Sequence, residues 1–65
     1  MDEHFTTMVI DERDELAKRV DRLVLFREGT VYPSLPDGER KRIDLQERYM
    51  LGYLGTLNDR ISEFW

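Results

Sequence analysis

Five side chains in this sequence suit the capture of an anionic ligand: Arg19, Arg22, Arg42, Arg48 and Tyr49. A guanidinium holds phosphate through charge-assisted hydrogen bonds, and a tyrosine ring offers a face on which a flat base stacks. Arg40, Lys41 and Arg42 form the one basic run. Three successive residues on a helix point in three directions, so a single phosphate cannot meet all of them. Cations at a helix N-terminus also oppose its dipole. The run therefore reads as a solvated surface unless a neighbouring subunit brings Lys18, Arg19 or Arg22 into a shared anion pocket. Asp44 stands four residues before Arg48 and competes for it.

Catalytic groups are not assembled in the same way. His4 is the only histidine and lies near the terminus, and Ser34 has no base in its sequence neighbourhood. Asp11, Glu12, Asp14 and Glu15 form a solvated helix surface rather than a carboxylate pair in an apolar pocket. The expectation is a binding protein, not an enzyme, with no cofactor. There is no cysteine, so disulfides are excluded and a structural zinc site has almost no ligands to draw on.

Sixty-five residues make a single domain, 1–65. A core of this size supplies about 3–5 kcal/mol, and short chains need a staple. Oligomerisation or a partner surface is the staple that remains. The formal net charge is −4, which disfavours DNA or RNA as a partner because polymer binding rests on a basic face. The longest apolar stretch, Leu23 to Phe26, is far short of the roughly 18 residues of a membrane span. Asp2 and Glu3 leave no room for an apolar leader, so the expected compartment is the cytoplasm, with no membrane partner.

The positioning elements are helices. Val9, Leu16, Val20 and Leu23 recur at helical spacing, flanked by Ile10, Ala17 and Val24. Asp14 with Lys18 and Glu15 with Arg19 are favourably oriented pairs on the outer face. Thr6 is a candidate N-cap, with Phe5 and Ile10 as a hydrophobic staple. Gly29 ends this first helix, at about 6–27. The connector, 28–36, holds both prolines, and its Val31, Tyr32 and Leu35 are expected to plug the loop end. Ser34 and Asp37 resemble a capping box, and Pro36 suits a first helical turn. The second helix, about 37–64, carries the stripe Ile43, Gln46, Met50, Tyr53, Leu54, Leu57, Ile61 and Phe64.

This reading yields an all-α, antiparallel two-helix hairpin. From Thr7 to Phe26 the first helix spans roughly 30 Å and the second roughly 42 Å. The surplus leaves Leu57, Ile61, Phe64 and Trp65 without an intrachain cover unless residues 2–6 extend the first helix. Together with Gly52, Tyr53 and Gly55, these residues form the expected interface of an oligomeric helical bundle. Each interior glycine costs about 1 kcal/mol relative to alanine. Close helix packing, ligand approach and simple tolerance are all consistent with them. Tyr49 and Tyr53 likewise admit two readings, a stacking face for a base, or a core ring with a half-buried flank.

Set in order, Glu12-x-x-Glu15-Leu16-x-x-Arg19-x-x-x-Leu23-x-x-Phe26, then Leu35-Pro36-x-x-Glu39, then Gln46-x-x-x-Met50-x-x-Tyr53-x-x-x-Leu57-x-x-Arg60-Ile61-x-x-Phe64 resembles a family of very short phage and prophage proteins related to a small protein of crAss-like phages. The resemblance covers about residues 9–64. Thr30, Val31 and Tyr32 depart from it where a more polar connector is usual, as does Gly38 in the first turn of the second helix. The architecture is also similar, at the level of fold, to the helical hairpins of phage sponge proteins that trap nucleotide signals of antiviral systems. What these resemblances imply is a phage accessory protein that sequesters a small nucleotide between subunits, in an anti-defence role. The alternative is an inhibitor or adaptor that binds a host protein.

Overall fold

The computed structural model describes residues 2–65. Its elements are α1, Glu3–Glu28, a short α2, Val31–Ser34, and α3, Asp37–Ser62. The described residues contain no strand. α1 and α3 pack along each other in antiparallel fashion. Phe5 meets Phe64 at one end, Arg13 donates to Asn58 in the middle, and Arg27 reaches Glu47 near the other end. The molecule measures 47 × 15 × 13 Å. Among the described residues, no helix is long and apolar enough to cross a membrane.

α1 begins earlier than its apolar stripe suggests. Asp2 is the N-cap, and its side chain accepts from the His4 backbone N–H at 2.9 Å. Thr6 is therefore inside the helix, where its hydroxyl donates to the Glu3 carbonyl at 2.8 Å. Aspartate caps at least as well as threonine, and starting at Glu3 lets Phe5 reach α3. The expected ion pairs are also rearranged. Lys18 contacts Glu15 at 3.4 Å and Arg13 contacts Asp14 at 2.7 Å. Both are exposed pairs of small energetic weight.

Gly29 ends α1 in extended backbone, its N–H donating to the Phe26 carbonyl. Ser34 does not cap α3. Its hydroxyl turns back to the Val31 carbonyl at 2.6 Å and closes α2 instead. Pro36 precedes the first turn of α3, which has no side-chain cap but carries Asp37 and Glu39. Both acids favour the positive end of the helix dipole, and they hold the cations Arg40 and Arg42 placed there.

α1 and α3 each contain 26 residues, so α3 has no overhang. Val9, Leu16 and Leu57 form the buried cluster, with Met50, Leu54, Ile61 and Phe64 packed against it. Leu57 is the one fully buried large side chain among the described residues. Its expected place in an interface between copies is thus corrected: residues 3–6 extend α1, and Leu57 belongs to the intrachain core. Phe64 is half-covered by Phe5, at a ring separation of 6.1 Å in an edge-to-face arrangement. Trp65 remains 84% exposed.

The loop end is closed by polar groups more than by the apolar plug. Val31 is exposed, while Tyr32 and Leu35 are half-buried. The Tyr32 hydroxyl donates to Asp44 at 2.6 Å. Arg27 donates to Glu47, and its buried Nε lies 3.2 Å from Asp44 without a hydrogen bond's alignment. Its guanidinium also stands 5.4 Å from the centre of the Tyr32 ring. Tyr32 first, then Asp44 and Glu47, raise the Arg27 pKa above its already high value, against partial desolvation.

The thinness of the core makes a direct test. Leu57→Ala should cost about 2–5 kcal/mol, as emptying a well-packed leucine site does, and so unfold much of the population at room temperature. Leu25→Ala, at a site 67% exposed, should leave the thermal melt followed by circular dichroism nearly unchanged. Equal losses at the two positions would show that Leu57 is not the centre of the core.

Candidate functional site

A hairpin of two helices leaves the apolar flanks of its seam uncovered. On one flank the steps of three and four residues place Leu16, Arg19, Leu23 and Phe26 of α1 beside Gln46, Met50 and Tyr53 of α3, around an open groove. An adjoining dent on α3 is lined by Arg42, Leu45 and Tyr49 and shares Gln46, Met50 and Tyr53 with the first. The two depressions adjoin along these shared residues, and both are mainly apolar with cations at their edges.

Four of the five expected ligand residues converge here: Arg19, Arg22, Arg42 and Tyr49. Arg48 does not join them. At 100° per residue it lies about 120° round α3 from Arg42. Its expected partner, Asp44, is engaged by Tyr32 and Arg27 instead. Of the two readings open for Tyr53, the core ring does not hold: it is 47% exposed on the groove edge, and Tyr49 is 68% exposed. Leu54 and Leu57 take the positions in and against the buried cluster.

The charges are unevenly neutralised. Arg42 pairs with Glu39 at 3.3 Å, with its side chain largely in solvent. Among the described residues, no carboxylate lies within ion-pair distance of Arg19 or Arg22. Next to them, Glu12 and Glu15 line the far end of the same groove together with Leu16, Arg19 and Tyr53. One flank of the molecule thus runs from an acidic end to a basic end over apolar side chains. Unpaired arginines beside an exposed ring can hold a phosphate and stack a base. No proton-transfer pair is set up by this arrangement.

Gly52 and Gly55 lie outside the groove lining. A Cβ built on either meets nothing within 4 Å. Within one chain they admit no close approach, and their role in an interface between copies rests on surfaces outside the hairpin. The polar closure by Arg27, Glu47 and Tyr32 was not anticipated from spacing. Twenty residues separate Arg27 from Glu47, and only the hairpin register brings them together.

Compared with known proteins, the chain is matched over residues 3–63 by a family model described as Sequestin. No curated protein and no solved structure matches it.

The open space at the glycines sets an expectation for stability. Gly52→Ala and Gly55→Ala should each raise the melting temperature, by the equivalent of roughly 1 kcal/mol, because helix propensity improves and nothing is displaced. Loss of stability at micromolar protein would instead reveal a partner helix packed against that face.

Proposed function

This chain belongs to the Sequestin family, and from that premise we propose that it is a stoichiometric, non-catalytic phage accessory protein that sequesters a small anionic nucleotide signal between its subunits. The family's name speaks for capture rather than turnover. The observation that carries the reading is the groove, where Arg19, Arg22, Arg42 and Tyr49 converge on an apolar floor. Phosphates require cations, and flat bases require a ring. One hairpin presents both, but in an open, solvated setting where single charges bind feebly. Two copies facing each other would double the cations and exclude water, and symmetry brings identical groups to a shared pocket. The proposed setting is the cytoplasm of a bacterial host, where the protein would act against a defence system.

A second reading has its own support. Asp21, Val24, Leu25 and Glu28 form an acidic and apolar patch on the outer side of α1, with Leu25 mostly exposed. Such a surface suits an inhibitor or adaptor that docks on a basic, apolar site of a host protein.

Isothermal titration against a broad panel of nucleotides, cyclic oligonucleotides among them, separates the two readings. The expected result is saturable binding that weakens with added salt, as screening of exposed charges requires. Tyr49→Ala and Arg42→Glu should each abolish it while the oligomer stays intact. Should no nucleotide bind more tightly than about a millimolar dissociation constant, roughly −4 kcal/mol, the capture reading fails and the host-protein reading takes its place.

A further inference from the structure

The stripe of α1 that edges the groove carries a charge pattern with a definite consequence. Glu12, Glu15, Arg19 and Arg22 follow one another in steps of three, four and three residues. At 100° per residue they fall within an arc of about 80° on the helix surface. The order of signs is two negative, then two positive. Laid parallel on itself, such a stripe sets like charge on like. Laid antiparallel, it sets every carboxylate against a guanidinium, twice over. We propose that a second copy of this chain docks through α1, antiparallel, in the register that pairs Glu12 with Arg22 and Glu15 with Arg19 of the other copy.

Both pairs have the same midpoint, Ala17, which places the two-fold axis there. α1 runs from Glu3 to Glu28, so this axis lies close to the middle of the hairpin, and the two copies overlap along nearly their whole length. The same register has a second consequence that the charges do not dictate. Met8 and Phe26 lie on the same stripe, one turn beyond each charged pair, and are equidistant from Ala17. Both are solvent-exposed in the single chain, at 57% and 37%. The proposed docking brings the Met8 thioether of each copy onto the Phe26 ring of the other, a favourable sulfur–aromatic contact.

The intrachain demands on these charges are light. Glu15 shares an exposed contact with Lys18, while Glu12, Arg19 and Arg22 have no ion-pair partner among the described residues. Arg42 and Tyr49 belong to α3 and lie beside the seam, not in it. Arg19 and Arg22 edge the groove as well as the seam, so the ligand test is kept to Arg42 and Tyr49, and association is read without any nucleotide.

Sedimentation equilibrium on the whole chain, at low salt and micromolar concentration, is the experiment. The wild type should be dimeric or a multiple of dimers. Glu12→Arg with Glu15→Arg makes the stripe wholly positive, and Arg19→Glu with Arg22→Glu makes it wholly negative. Each double variant should self-associate at least about tenfold more weakly, as four attractive contacts turn repulsive. Mixed in equal amounts, the two should associate with each other. All four sites are exposed, so helicity by circular dichroism should persist. Should it be lost in either double variant alone, the mixture should restore it. The quadruple reversal should regain self-association, yet fail to pair with the wild type, because antiparallel docking then opposes like charges. A monomeric wild type, double variants that associate normally, an inert mixture, or a quadruple variant that pairs with the wild type would each overturn the proposal.

Discussion

Two helices share one seam, and each can bury only the stripe that faces the other. That constraint governs everything else in the molecule. Val9, Leu16 and Leu57 fill the seam, and burial of such side chains contributes about 1.5–3 kcal/mol each. Ordering the backbone costs roughly 1–2 kcal/mol per residue, so so few buried side chains leave little margin. Every apolar residue beyond the seam stays on the surface, including Tyr49, Tyr53, Phe26 and Leu45. The groove is a direct product of this shortage of layers. Its floor is apolar because these side chains flank the core, and it is open because among the described residues no further helix lies over them.

The same constraint explains the polar closure at the loop. α2 is a single turn whose Val31 faces solvent, so apolar burial there is slight. Arg27 compensates by joining α1 to α3 through Glu47 and Asp44, while Tyr32 ties the connector to the same carboxylate. Glu47 is well shielded, at 13% side-chain exposure, which makes its charge costly without a partner. This cluster fixes the hairpin register at one end as Phe5 and Phe64 do at the other. Between these two anchors, Arg19 and Arg22 are carried to the groove edge, with no carboxylate among the described residues within ion-pair distance.

An acidic chain with a locally basic groove is selective by construction. The net charge of −4 repels long polyanions, whose binding depends on many phosphate contacts. A small anion sees only the local field within about a Debye length, roughly 8–10 Å at physiological salt. Capture of a small ligand and avoidance of nucleic acid are thus compatible properties of one surface.

Periodicity alone determined the two helices, the stop at Gly29 and the burial of Val9, Leu16 and Val20. Those features depend on interactions within a few turns, and the 3.6-residue repeat encodes them directly. The grouping of Arg19 with Arg22 was legible for the same reason. What the tertiary structure decided depends on register between the helices. Capping α1 at Asp2 rather than Thr6 added four residues, removed the overhang of α3 and moved Leu57 from an expected interface into the core. Tyr53 and Leu54 are neighbours on one apolar stripe, and only the crossing of α1 chose Leu54 for the interior and left Tyr53 on the groove. Arg48 lies about 120° round α3 from Arg42 by helical spacing alone, a separation the sequence already held. Asp44, four residues from Arg48 in sequence, went instead to Tyr32 and Arg27, since contacts across a turn and a seam outrank an exposed pair on one helix. Local spacing states which side chains share a face, and packing alone states which face is covered.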